Sequence, residues 1–144
     1  MKELIAHAAS LGVSVHAAHI DGPQRGYYDA SAKQVVYDYE LTPVERDTVL
    51  AHELGHAFYD HQCYGNPKFE AAADYYAACL LIAPDAYMRA ERLDPSVDAI
   101  AEELGVEPKL VRAYEARALT RLHGVTYVRS RMGAGQYHFV ASHA

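Results

Sequence analysis

The chain has 144 residues, of which 51% are hydrophobic and 22% are charged, and its formal net charge is −6. This length suits one ordinary domain, and the apolar content is sufficient for a packed core, which excludes wholesale disorder. No apolar run approaches the roughly 18 residues that a membrane span requires, and two cysteines cannot form a disulfide framework. The polar first residues do not read as a secretory signal. We therefore expect a cytoplasmic protein with no membrane partner.

The first forty residues predict one helix and three short strands. Apolar residues at helical spacing predict a helix over residues 1–11, and Gly12 is placed to end it. Alternating, aromatic and β-branched residues then predict strands at residues 13–20, 27–29 and 34–39, with turn-forming residues between them. We expect these strands to form a small antiparallel sheet.

The best-marked helix begins at Thr42. Thr42 suits the N-cap, Pro43 suits the first helical position, and Glu45 is placed to satisfy early backbone N–H groups. We expect this helix to run to about residue 60 or 61. Its predicted inward stripe consists of Val44, Thr48, Ala51, Gly55 and Phe58.

The rest of the chain predicts further helices and a tail. An alanine-rich helix is expected over residues 68–82, followed by a short one from Pro84 to Leu93. Residues 97–104 and 107–122, separated by Gly105, predict a helix–turn–helix-like pair. Residues 127–140 resemble a hairpin around residues 133–135 or a loose arm. We expect a core at 1–95, a helical appendage packed on it at 96–124, and a tail or hairpin at 125–144.

The strongest chemical signal is His52-Glu53-Leu54-Gly55-His56. On a helix, residues four apart lie one turn apart on nearly the same face, so both imidazoles can reach one ion. Glu53 lies about 100° round from His52 and can reach a water molecule bound to that ion. The motif thus supplies two metal ligands and a general base, and it lies inside a predicted helix as the geometry requires.

A catalytic zinc site needs a third protein ligand and one open position. Glu70 is the leading candidate for this third ligand, because it follows His56 by fourteen residues across a predicted turn between two helices. Asp74 lies one turn further on the same face and is placed to orient a ligand histidine. Two alternatives remain open. Glu70 and Asp74 could form a solvent face of the alanine-rich helix, and Asp60 or His61 could be a weaker third ligand.

This set of residues predicts hydrolysis of a carbonyl compound. Bound zinc lowers the pKa of its water towards 7, and Glu53 accepts the proton as hydroxide attacks the polarised carbonyl. Two imidazoles and one carboxylate would also suit manganese, cobalt or iron. The oxyanion needs a further donor, and the sequence does not choose among the candidate tyrosines, which are Tyr28, Tyr64, Tyr75 and Tyr76.

Several stretches together resemble a known family. They are Gly26-Tyr27, Val35-Val36-Tyr37, residues 45–56 around the histidine motif, and the run from Glu70-Ala-Ala-Ala-Asp74 to Pro84. Across residues 26–84 this pattern resembles the ImmA/IrrE family of small zinc metallopeptidases of bacteria, phages and mobile elements.

The resemblance implies a fold, an activity and a substrate. It implies a zincin-like α+β fold with the sheet packed on the metal-binding helix. By the family's pattern, His52, His56 and Glu70 would bind zinc, Glu53 would be the catalytic base, and Asp74 would support a ligand. It also implies a site-specific endopeptidase that relieves repression by cleaving a helix–turn–helix transcriptional repressor.

Two other classes of function are alternatives. The first is a DNA-binding regulator with a structural or vestigial metal site, using residues 96–124. Its candidate phosphate contacts are Lys109, Arg112, Arg117 and Arg121, although four glutamates are interleaved with them. The second is a protein that sequesters a repressor without cutting it.

Overall fold

The computed structural model describes residues 1–61 and 65–117 in full, and three later strands as backbone. None of the helices in these described parts is long and apolar enough to cross a membrane. The predicted α+β class is confirmed. In chain order the elements are α1 (Lys2–Ser10), β1 (Ser14–Ala18), β2 (Gly26–Asp29), β3 (Gln34–Asp38), α2 (Pro43–Phe58), α3 (Pro67–Leu81), α4 (Pro84–Leu93), α5 (Val97–Leu104), α6 (Pro108–Arg117), β4 (Leu119–Leu122), β5 (Val125–Arg129) and β6 (Tyr137–Val140).

The first sheet is mixed, which corrects the prediction of an antiparallel one. Its strand order is β1-β3-β2. β2 and β3 form the expected antiparallel hairpin, but β1 pairs with β3 in parallel, with Val15 opposite Val35. The physical reason is the connection at residues 19–25, which is long enough to carry the chain across β3 and place β2 on its far side. β1 is therefore left to pair with the other edge of β3.

The beginning of α2 has the predicted caps. The Thr42 side chain accepts a hydrogen bond from the Glu45 backbone N–H, and Glu45 accepts one from the Thr42 N–H, which is a complete capping box. The predicted inward stripe is wrong at its two ends, because Val44 and Phe58 are 38% and 48% exposed. The stripe is correct at its middle positions, where the helix is covered by the sheet on one side and by α3 on the other.

α3 approaches α2 closely at one glycine. A Cβ added to Gly55 would lie 2.9 Å from Ala73 Cα and 3.1 Å from Tyr76 Cβ. These distances are shorter than a methyl group allows, so the two helix backbones meet here only because residue 55 has no side chain. Asn66 caps the start of α3 by accepting from the N–H groups of Lys68 and Phe69.

The last two helices, α5 and α6, join the same core. Ser96 caps α5, and Gly105 ends it with a φ of 67° in the left-handed region. Leu110 and Val111 of α6 are fully buried, and α6 packs against α3. The guanidinium of Arg25, just before β2, forms two hydrogen bonds with the Glu107 carboxylate at 2.6 and 3.2 Å. This ion pair fastens the α5–α6 pair to the sheet side of the molecule.

The chain leaves the helical state earlier than predicted. α6 ends at Arg117 and not at residue 122, because the backbone of residues 119–122 pairs with β5 as strand β4. β5 and β6 pair antiparallel, as the predicted tail hairpin requires. The expected turn at residues 133–135 lies outside the described residues.

Replacement of Gly55 tests the close helix contact. We expect Gly55→Ala to destabilise the protein by about 1–3 kcal/mol, because the methyl group overlaps the backbone of α3. The better helix propensity of alanine, worth about 1 kcal/mol, acts in the opposite direction. Thermal and denaturant unfolding measure the difference. An unchanged or higher Tm would contradict the close approach.

Candidate metal centre

Three side chains from two helices meet at the centre. His52 and His56 lie one turn apart on α2, and Glu70 lies in the first turn of α3. The Nε2 atoms of the two histidines are 3.1 Å apart. Glu70 Oε2 is 3.0 Å from His52 Nε2, and Glu70 Oε1 is 3.4 Å from His56 Nε2. His52 contacts Asp74 and His56 contacts Glu70, so the two helices run antiparallel.

The arrangement fits a divalent cation. Tetrahedral ligands at about 2.0–2.1 Å from one ion lie about 3.3 Å from one another, which is close to the observed separations. The ligand atoms of His52, His56 and Glu70 all lie within 4.8 Å of one another. His52 Nδ1 lies 2.8 Å from Asp74 Oδ1 and donates to that carboxylate, so in the neutral ring Nε2 carries the lone pair. That lone pair faces the Glu70 carboxylate. A cation bound between these two hydrogen-bond acceptors would stabilise both of them.

Asp74 links His52 to α6. Its Oδ1 accepts from His52 Nδ1–H and lies 3.6 Å from the Lys109 ammonium. Burial alone would raise the pKa of Asp74, but the hydrogen bond with His52 and the charge of Lys109 outweigh it and lower the pKa. Burial lowers the pKa of His52, but Asp74 and the charge of Glu53 raise it above its ordinary value. The pair is thus held with a carboxylate facing the Nδ1–H.

Glu53 is buried beside this group. Glu53 is 5% exposed, and its Oε2 has no hydrogen-bond partner among the described residues. The backbone N–H of Tyr28 bonds the carboxyl. Burial and then the charge of Glu70 raise the pKa of Glu53 to about 7, against the opposing charges of His52 and Lys109. A buried carboxyl with an unpaired oxygen is costly in a protein core and is typical of functional sites.

A cavity of about 150 Å³ opens beside Glu53. It lies between β2, α2 and α6 and is lined by Arg25, Gly26, Val49, His52, Glu53 and Lys109. Gly26 lets β2 approach α2, because a Cβ there would lie 2.5 Å from Val49 Cγ1. Glu53 and His52 both border the cavity, so a solvent-sized molecule inside it would lie next to these two residues.

His61 lies beside His56 but is not one of the grouped ligands. The Nδ1 atoms of the two rings are 2.9 Å apart, and the ligand group among the described residues contains His52, His56 and Glu70 only. Burial and then the charge of His52 lower the pKa of His56. The sequence offers His61 as a weaker third ligand, and no pattern in it indicates this contact with His56.

Sequence reasoning also missed Lys109 as a neighbour of the centre. The sequence offers Lys109 as a candidate phosphate contact, and no local pattern links it to Asp74, which is 35 residues earlier. The spare candidate Asp60 is exposed and adopts a positive φ of 56° at the end of α2.

The candidate tyrosines have different surroundings. The Tyr76 hydroxyl bonds His7 Nε2, and burial raises its pKa to about 12. The Tyr75 ring lies under the guanidinium of Arg117, at 5.5 Å. Tyr28 is buried at the end of β2, and Tyr64 lies outside the described residues. These surroundings do not single out a donor for an oxyanion.

Comparison with known proteins agrees with the geometry. No individual curated protein matches the chain. The family described as the IrrE N-terminal-like domain, Peptidase_M78, matches residues 8–114, which is more than half of the chain and includes every residue of the centre. The resemblance to ImmA/IrrE proteins is confirmed, and the chain belongs to this peptidase family.

Proposed function

We propose that the protein is a zinc-dependent, site-specific endopeptidase that cleaves a helix–turn–helix repressor. One observation carries the metal-dependent part: the Nε2 atoms of His52 and His56 and the Glu70 carboxylate converge to within 4.8 Å beside a buried Glu53. Membership of a peptidase family supports peptide-bond hydrolysis. The resemblance to ImmA/IrrE proteins supports the repressor as substrate, and such a substrate would place the protein in the cytoplasm.

In this proposal His52, His56 and Glu70 would hold the ion, which would be left able to accept water or substrate as a further ligand. A bound divalent cation supplies Lewis acidity, which acidifies water and polarises a carbonyl group. Two imidazoles and one carboxylate suit zinc, and manganese or another divalent ion can also accept this set of ligands. Asp74 keeps His52 in the tautomer that presents Nε2 to the ion.

Glu53 carries the proton transfers. Its Oε2 has no partner among the described residues and is free to accept a proton from the attacking water. The water oxygen forms a bond with the scissile carbonyl carbon, and Glu53 then passes the proton to the leaving nitrogen as the C–N bond breaks. The cavity beside Glu53 provides access for the water.

The DNA-binding alternative is less well supported. In a helix–turn–helix reader, the second helix presents side chains to the major groove. In α6, Leu110 and Val111 are fully buried, Lys109 contacts Asp74, and Arg117 lies over the Tyr75 ring. Through these contacts α6 packs against the rest of the protein, so these side chains are not presented to a DNA groove. Binding of duplex DNA that weakens with salt and is unchanged by Glu53→Gln would favour the regulator instead.

Metal binding is the first test of the proposal. We expect the wild-type protein to bind one zinc ion per chain, and zinc at 100 times its Kd to stabilise the fold by about 2.7 kcal/mol. Glu70→Ala and His56→Ala should lose this stabilisation, whereas Glu53→Gln should keep it. Metal analysis and thermal unfolding with and without zinc provide the measurements. His16→Ala, at an exposed histidine, is the matched control.

The contact between Asp74 and His52 gives a second prediction. We expect Asp74→Asn to weaken zinc binding by about 10–100-fold, because the amide provides no charge to stabilise the ligand histidine. Competition with a chromophoric chelator measures the affinity. The same affinity in Asp74→Asn and wild type would show that Asp74 has no influence on the ion.

A cleavage assay on a repressor distinguishes the protease proposal from the alternative of sequestration. The zinc-loaded wild type and Glu53→Gln should be incubated with a candidate helix–turn–helix repressor as substrate. We expect only the wild type to cut it, with kcat/KM lowered by about 10²–10⁴-fold or more in Glu53→Gln, because the general base is lost. Electrophoresis and mass spectrometry identify the cut bond. Equal derepression by both proteins without cleavage would support sequestration and overturn the protease.

A further inference from the structure

The end of α2 has a specific hydrogen-bond pattern. Tyr59 is the C-cap, and Asp60 follows with a left-handed φ of 56°, a conformation in which aspartate is over-represented. The Asp60 N–H donates to the Ala57 carbonyl at 3.2 Å, and the His61 N–H donates to the His56 carbonyl at 2.9 Å. This is the bonding of a Schellman motif. The motif brings the residue after the left-handed one next to the last turn of the helix.

In a Schellman motif the two side chains brought together are frequently apolar. Here they are His61 and His56, whose Nδ1 atoms are 2.9 Å apart. The His61 ring is nearly parallel to Tyr59, with centroids 5.4 Å apart, and to Phe69, with centroids 4.0 Å apart. Because Phe69 belongs to α3, both helices of the metal centre restrain the plane of this imidazole.

We infer that His61 is a positioning residue, which orients His56 for metal binding. This inference rests on the metal centre of the proposed function. If His56 Nε2 faces His52 and Glu70 with its lone pair, then the neutral ring has its proton on Nδ1. That Nδ1–H donates to His61 Nδ1, so the proton of neutral His61 is on Nε2. His61 thereby fixes both the tautomer and the ring plane of His56.

The two metal-facing histidines are thus held by different groups. A ligand histidine usually donates its second N–H to a carboxylate, a carbonyl or a water molecule. His52 follows this rule, because its Nδ1–H donates to Asp74. His56 instead contacts the imidazole of His61, which follows the end of the same helix. His61 points at the nitrogen of His56 that faces away from Glu70. In this position it supports the centre and leaves the open coordination position free.

Zinc affinity of His61 variants tests the inference. His61→Phe keeps a flat ring against Tyr59 and Phe69 but has no acceptor for His56. We expect it to bind zinc about 10–100-fold more weakly than the wild type, with a metal-free Tm within a few degrees. His61→Gln should recover part of the affinity, because its amide oxygen can accept the hydrogen bond. His16→Phe is the control for loss of an exposed histidine.

The possible results are distinguishable. Equal zinc affinity in His61→Phe and wild type would overturn the role of His61 and leave the metal centre standing. A wild-type protein that binds no zinc would overturn both. Long-range ¹H–¹⁵N NMR of the zinc-loaded wild type gives a second test that needs no variant. We expect a proton on His56 Nδ1 and on His61 Nε2, and His61 bound to the ion or protonated at Nδ1 would overturn the inference.

Discussion

The centre depends on how closely two helices can approach. The ligand atoms belong to side chains of α2 and α3, and a zinc ion accepts ligands only at about 2.0–2.1 Å. Gly55 on one helix and Ala73 on the other let the backbones meet where the histidines and Glu70 face each other. A larger residue at either position would push the two helices apart. The Glu70 carboxylate could then no longer reach the ion beside the two histidines. The site is therefore a property of the helix pair.

Burial makes each polar contact around the centre matter. Charged groups that lose water must find partners, since an unpaired one costs several kcal/mol. His52 has Asp74, Asp74 also has Lys109, and Arg25 has Glu107. Glu53 Oε2 has no partner among the described residues, and Glu53 borders the cavity where a reacting water could enter. The buried oxygen of Glu53 thus lies where the proposed proton transfer from water requires an acceptor.

Local features were predictable from the sequence, and long-range ones were not. The Thr42 capping box and the start of α4 at Pro84 follow from signals within a few residues. The proximity of Glu70 to the histidines followed from a short turn between two helices. The parallel pairing of β1 and the contact between Lys109 and Asp74 join distant segments, so no spacing indicates them. The exposure of Phe58 depends on how much of the α2 surface α3 covers. Helical periodicity alone does not predict that coverage.

The Schellman motif after α2 also constrains how this chain can vary in evolution. Links between helices are usually where related proteins gain or lose residues, because little depends on their length. Here the left-handed Asp60 brings His61 against His56, and one residue added or removed between Phe58 and His61 would rotate the imidazole away from its partner. Length changes should therefore be selected against at this junction, even though Phe58 and Tyr59 at the end of α2 are exposed.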